Sequence, residues 1–307
     1  MPPPQGAWNP IEGPGDYTTT KIIHNDTYPA IDPTKADHTG HAVFVSGASR
    51  GIGRALAIAY ARAGASHIAI GARSDLTEVA ATLKKAAREA GRPEPEVLTI
   101  ELDVTSQASV EDAAKQMDTQ FGNLDIAINN AGILDEMKYI ADTSPDAWWR
   151  TYEVNVRGPY LISRSCIPLL LKGQQKTLIT VSSVGAHVVM PGLSAYQPSK
   201  LAVLRLMEFA AAEYKDQGLV AFAVHPGNIL TDIVDGGEGM DEQFKAVFTE
   251  TVELCADSLV YLTDEKREWL SGRYINCTWD LPELTSSPKK GPNHRARPAE
   301  SEAGSVV

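Results

Sequence analysis

Val43-Phe44-Val45-Ser46-Gly47-Ala48-Ser49-Arg50-Gly51-Ile52-Gly53 is the stretch that decides the fold. It opens on a short β-branched and aromatic run, His41 to Val45, which reads as a strand. It closes on glycines that lead into an alanine-rich helical pattern from Gly51 to Ala63. A strand passing through a tight turn into a helix is the start of a βα unit. The glycines let the chain turn sharply and let a phosphate approach the backbone. The helix start behind them offers unpaired N–H groups and the positive end of the helix dipole. The spacing is G-x3-G-x-G, not the G-x-G-x-x-G of the dinucleotide fingerprint. On its own the turn is also compatible with a plain strand-to-helix connection.

Outward from this unit the pattern repeats. Strands are expected at 67–71, 97–101, 125–128, 177–181, 220–224 and 273–277. Helices are expected at 76–90, 109–121, 146–171, 196–215 and 250–262, the one at 146–171 as a single long rod. Short runs that are apolar on both faces, separated by helices, mean a parallel sheet covered on both sides. The expected fold is therefore α/β: one Rossmann-like, doubly wound domain over 41–285, with about seven strands. Such sheets bind ligands beyond the carboxyl ends of their strands, and the motifs fall at those ends.

A chain of 307 residues can bury one extended core without staples. The apolar fraction of 43% and charged fraction of 22% are those of a soluble protein. A formal charge of −11 argues against nucleic acid or an anionic membrane as partner, since both need a basic face. Cys166, Cys255 and Cys277 have no CxxC spacing and fit reduced thiols, so the expected location is cytoplasmic. The first residues carry proline and glycine but no basic and apolar leader pattern. Residues 1–40 are expected to form an extended arm, and 286–307 a disordered tail.

Chemistry-bearing residues follow the strands in order. Asp103 and Val104 follow the third strand, where a carboxylate suits an adenine amino group and where a helix cap is the plain alternative. Asn129-Asn130-Ala131-Gly132 follows the fourth. Ser182-Ser183 ends the fifth, and Tyr196 and Lys200 lie beyond it, one helical turn apart. Pro226-Gly227-Asn228-Ile229-Leu230-Thr231 follows the sixth, where a threonine suits a carboxamide. Tyrosine is a poor proton donor at neutral pH, and a neighbouring ammonium favours its phenolate, so Lys200 is expected to lower the Tyr196 pKa. Pro198 places the helix start close to Tyr196. No H-E-x-x-H, Cys/His cluster, G-x-S-x-G elbow or Gly-Lys-Ser/Thr loop occurs, so neither a metal nor a hydrolase site is expected.

This ordered set resembles the short-chain dehydrogenase/reductase family, over roughly residues 40–280, and more loosely the fungal reductases of specialised metabolism. The resemblance implies NADP(H)-linked interconversion of a carbonyl and an alcohol. It implies Tyr196 as proton donor, Lys200 also on the nicotinamide ribose, Ser183 rather than Ser182 on the carbonyl, and Asn155 in a proton relay. It implies cofactor contacts at Gly47, Ser49, Arg50, Gly51, Ile52, Gly53, Arg73, Asp103, Val104, Asn129, Ala131, Gly132, Pro226, Gly227, Ile229 and Thr231. One departure is visible: Ala186 stands three residues after Ser183, where the family often has glycine, with Gly185 one earlier. The second strand ends Ala72-Arg73 with no acid, and Arg50 is expected nearby, which favours a ribose phosphate over a free ribose. The resemblance implies a small carbonyl or alcohol as substrate. Ile133, Leu134, His187 and Met190 fall near its opening, and Gly236, Gly237 and Gly239 suit a lid. Leu169, Leu170, Leu204 and Phe209 give two helices a second apolar face, which implies a homotetramer or homodimer unless the arm covers it. A non-catalytic NADP(H)-binding regulator or scaffold on the same fold is the alternative, and it predicts a damaged tetrad.

Overall fold

Alternation within each strand places the core. In β1 (Ala42–Ser46), Val43 and Val45 point to one face of the sheet, and Ala42 and Phe44 to the other, all buried. The remaining strands are β2 (His67–Ala72), β3 (Glu96–Glu101), β4 (Ile126–Asn129), β5 (Thr177–Val181), β6 (Val220–His225) and β7 (Tyr274–Asn276). The computed structural model describes residues 4–134, 136–233 and 240–286. All seven strands are parallel, in the order β3-β2-β1-β4-β5-β6-β7. The winding reverses between β1 and β4, which opens a crevice at their carboxyl ends.

Helices cover both faces. On one side lie α1 (Gly51–Arg62), α2 (Thr77–Glu89) and α8 (Val252–Thr263), packing Leu56, Leu83 and Leu254 against the sheet. On the other lie α3 (Gln107–Phe121), α5 (Gly158–Leu170) and α6 (Tyr196–Glu213), with Met117, Leu170 and Met207. Each fully buried side chain of this kind contributes about 1.5–3 kcal/mol. Short helices α4 (Pro145–Tyr152), α7 (Glu242–Lys245) and α9 (Leu281–Ser286) complete the set among the described residues.

The long helix expected at 146–171 is interrupted. Between α4 and α5, residues Glu153–Arg157 form a π turn, in which Gly158 N–H bonds the carbonyl of Glu153. Pro159 explains this: it has no N–H for the carbonyl of Asn155, four residues back, so the ordinary ladder cannot continue there. π turns inside helices recur at functional sites, and this one carries Asn155. Leu169, Leu170 and Leu204 are buried within the chain, against the expectation of a second exposed face. Phe209 does remain exposed, as do Tyr160 and Leu201 on the same two helices.

Before β1, single 3-10 turns at Pro29–Ile31 and Pro33–Lys35 lie along α8 and α1. Ile23 forms an antiparallel bridge with Trp279. The arm thus lies on α1, α8 and the 276–284 region. The glycines at 236, 237 and 239, and the tail from 287 onward, lie outside the described residues. Ser286, expected to begin the tail, is the last residue of α9. No helix of the described residues is long and apolar enough to cross a membrane.

Candidate active site

The glycine turn after β1 is held by close approach. Gly47 adopts φ +69°, and a Cβ placed on it would lie 2.8 Å from Cα of Ala131. A Cβ on Gly53 would overlap the carbonyl oxygen of Gly47. Gly51 is different: φ is +54°, and its missing Cβ faces open space, with only Thr231 at 3.8 Å. The turn is pinned by Asn130, whose Nδ2 donates to the carbonyls of Ser46 (3.0 Å) and Gly47 (3.1 Å). Ser46 Oγ in turn accepts from the N–H groups of Asn130 and Ala131.

At the start of α1 the capping position is Arg50, which makes no side-chain capping bond. α3, by contrast, is capped by Ser106 Oγ, which accepts from Ser109 N–H at 3.3 Å. An absent cap costs about 1 kcal/mol. The uncapped N–H groups of α1, beside the opening at Gly51, fit the diphosphate of a dinucleotide.

The catalytic candidates converge at the ends of β4 and β5. Ser183 and Tyr196 meet at Gly185: a Cβ placed there would lie 3.2 Å from Ser183 Oγ and 3.6 Å from Tyr196 Cε1, and Ser183 Oγ accepts from Gly185 N–H at 3.0 Å. Ser182 instead donates its hydroxyl to the carbonyl of Lys200, 2.9 Å away, so only Ser183 faces the tyrosine. Lys200 Nζ lies 5.6 Å from the centre of the Tyr196 ring and donates to Val181 O at 3.1 Å. A Cβ on Gly132 would lie 3.4 Å from both Lys200 Nζ and Asn155 Oδ1, so these three groups meet at one point. Asn155 Oδ1 accepts from Ile133 N–H at 2.9 Å, and its Nδ2 donates to Ile133 O at 2.8 Å and Ser199 Oγ at 3.1 Å. The asparagine side chain therefore grips the strand-end backbone like one rung of a ladder.

Burial dominates the titration of this cluster. It pushes the Tyr196 phenol up, and the neighbouring Ser183 hydroxyl opposes that rise. The lowering expected from Lys200 is not seen: burial sets the direction, and the ammonium is not among the groups that oppose it. Burial also pushes the Lys200 ammonium down to about 8.

Other expected residues fall as follows. Asn129 turns inward: its Nδ2 donates to Ser163 Oγ and Thr180 Oγ1, both at 3.1 Å. The neighbouring Asn130 touches the glycine turn, and sequence could not separate two adjacent asparagines. Asp103 folds its carboxylate back on Thr105, accepting from its N–H at 2.9 Å and its hydroxyl at 2.8 Å. Val104 is buried against Gly158. Arg50 does not stand free beside Arg73: its Nε lies 3.2 Å from Asp232, and both side chains are largely exposed. Arg73 is exposed at the end of β2, on the rim that also holds Ser49 and Ile52. In the loop after β6, Pro226 and Ile229 are buried. Gly227 (φ +105°) makes room for Glu250, whose Oε2 accepts from Asn228 N–H at 2.7 Å. Thr231 is thereby brought beside Gly51.

On the substrate side, Ile133 and Leu134 are half-buried beside the Asn155 rung. His187 packs its ring edge-on against Tyr274, 4.5 Å between centres, and Met190 N–H donates to Gln197 Oε1 at 2.8 Å. His225 was not anticipated. It ends β6, is buried, and its Nδ1 accepts from Val184 N–H at 3.1 Å, next to Ser183. Burial holds this ring neutral, with a pKa pushed down to about 3. The only sequence signal for it was its place at a strand end. The described residues contain no cluster of metal-ligating side chains.

Residues 41–239 match the family model for short chain dehydrogenases. The chain belongs to the short-chain dehydrogenase family. It is 55% identical over 284 residues to the short chain dehydrogenase pigC of Monascus ruber, covering 92% of this chain and 94% of that one. Among solved structures it resembles a Shigella flexneri short chain dehydrogenase complexed with NADP (TM-score 0.68, 24% identity, 78% of this chain and 97% of that one). It also resembles carveol dehydrogenase of Mycobacterium avium in complex with NAD (TM-score 0.67, 20% identity, 78% and 97%). The chain is thus an oxidoreductase of a nicotinamide-using family, and the fold is theirs. As a member of this family it acts on a small molecule.

Proposed function

We propose that this dehydrogenase reduces a ketone or aldehyde to an alcohol with NADPH, reversibly. The observation that carries the proposal is a chain of neighbours: Ser183 and Tyr196 meet at Gly185, Lys200 Nζ lies 5.6 Å from the centre of the Tyr196 ring and beside Gly132, and α1 starts uncapped. When bound, the dihydronicotinamide supplies the hydride to the carbonyl carbon. The chain's own residues do the rest. Tyr196, held protonated by burial, gives its proton to the carbonyl oxygen. Ser183 orients that oxygen and polarises the bond. Lys200 places a cation beside the ring, which stabilises the phenolate left behind. Asn155 fixes the backbone at Ile133 and so the floor on which these groups stand.

NADPH rather than NADH is supported by Arg73 and by the absence of an acid at Ala72, where a carboxylate would hold a free ribose. Because Arg50 is paired with Asp232, Arg73 carries this preference. Exposed Tyr160, Leu201 and Phe209 on α5 and α6 support a homodimer or homotetramer, and sedimentation equilibrium showing only monomer overturns that assembly. Three buried free thiols fit a cytoplasmic location. The test of the reaction is NADPH consumption with benzaldehyde, acetophenone, cyclohexanone and 1-decalone, each with alcohol identified as product. Cofactor binding without turnover of any of them overturns the reading.

A further inference from the structure

Ser183 is followed by Val184, and Val184 is where a distant part of the chain arrives. Ile11, from the N-terminal arm, is buried against Val184 and Val247, with Met190, Phe244 and Phe248 packed around them. This small cluster is separate from the two that line the sheet. Two residues on, Gly13 comes so close that a Cβ on it would overlap Cγ2 of Val184. Gly13 has no positive φ, so its backbone would accept alanine, and the contact alone requires glycine there.

The arm is fastened at this place. Asp16 Oδ2 accepts from Gly13 N–H at 2.6 Å, and its Oδ1 accepts from Asn276 Nδ2 at 3.0 Å, at the end of β7. The indole N–H of Trp279 donates to Gly15 O at 3.1 Å. Val184 is thus gripped twice: its N–H by His225, its side chain by the arm. The arm also packs against the 244–248 segment, which belongs to the same apolar cluster as Met190.

We propose that residues 11–16 of the arm are a working part of the active site, forming the outer wall of the carbonyl-binding side. They position Ser183 through Val184, and the side chain at 13 sets how far that wall stands from the substrate. Ile11 and Gly13 are positioning residues that act on substrate fit, not on cofactor binding. This inference rests on the carbonyl-reductase reading above.

Gly13→Ala is the direct test, measured with whichever of the four named carbonyls turns over fastest. We expect its kcat/KM to fall about tenfold, mainly through KM, because an ångström-scale displacement beside the reacting group costs at least this much. The NADPH dissociation constant, read from nicotinamide fluorescence, stays within about twofold. Adding Val184→Ala to Gly13→Ala restores most of the lost kcat/KM, since it removes the overlapping methyl groups. Ile11→Ala, a second variant that adds no volume, shifts the ranking of 1-decalone against cyclohexanone. Unchanged kinetics in both single variants, with Tyr196→Phe inactive, overturns the inference alone. Equal loss of NADPH affinity, or no rescue by Val184→Ala, also overturns it, since either outcome marks general damage. Absence of turnover in the unsubstituted enzyme, or an active Tyr196→Phe, overturns the functional reading, and the inference falls with it.

Discussion

The rim of the sheet has two halves, and they are held in different ways. The half around Gly47 to Gly53 is one contiguous turn, braced by Asn130 and Ala131 from the next strand of the sheet. The half around Ser183 is assembled from Ile11, Gly13, His225 and Val247, none of them near it in sequence. The first half presents backbone N–H groups, which any sequence able to make the turn supplies. The second presents a surface of side chains, which depends on what each remote segment contributes. A general cofactor can be held by the first kind of site, while choice of substrate needs the second.

Tyr196→Phe breaks the link between the halves most severely. It removes the proton donor and keeps the ring, so kcat falls about 10²–10⁴-fold while NADPH binding is kept. Near-normal turnover in this variant means that another group delivers the proton.

Gly53→Ala attacks the first half alone. The added methyl overlaps the Gly47 carbonyl, a backbone atom with little room to move. We expect affinity for both NADPH and NADH to fall by about one to two orders of magnitude, an effect of roughly 1.4–2.8 kcal/mol. Fluorescence titration measures it, and unchanged affinity for both shows that the turn does not hold the cofactor.

Arg73→Ala sharpens the comparison within the cofactor half. The apparent NADPH constant rises about tenfold and the NADH constant stays within about twofold. Equal effects on the two cofactors show that Arg73 does not reach a ribose phosphate.

The smallest effect is on stability against pH. Burial pushes His225 down to about 3 and His38 down to about 4, while an unfolded imidazole titrates near 6.5. Below 6.5 the unfolded chain therefore binds more protons, and this contribution to stability is lost as pH falls. Asp16 and Asp257, pushed up to about 6 by burial, act in the opposite sense: their folded forms take up protons as pH falls from about 6 toward 4. Thermal scans should show Tm declining from pH 7 to 6 and flattening below it. His225→Asn, which keeps an acceptor for Val184 N–H, should show a shallower decline. An identical profile in that variant removes His225 from the balance.

The carboxyl-end placement of the motifs was legible because each follows a strand that is apolar on both faces, such as Val43-Phe44-Val45 and Val220 to Val224. The position of the α6 start was legible from Pro198, two residues after Tyr196. The π turn is marked in the sequence only by Gly158-Pro159, and the apolar periodicity that runs through this pair reads as one continuous helix. Asn130 could not be told from Asn129, since adjacent residues on a strand end face opposite ways and only the register decides which one faces the turn.

By itself the sequence determined the parallel sheet, the glycine turn and the order of Ser183, Tyr196 and Lys200. Each of these is a matter of local pattern: strand hydrophobicity, glycine spacing, one helical turn between two side chains. Tertiary structure alone decided the Tyr196 proton affinity, the pairing of Arg50 with Asp232, and the seating of Ile11 and Gly13 on Val184. These depend on which remote groups exclude water or come into contact, and no local pattern in the chain encodes that. Desolvation and close contact are properties of the packed interior, where they act over a few ångströms between segments far apart in the chain.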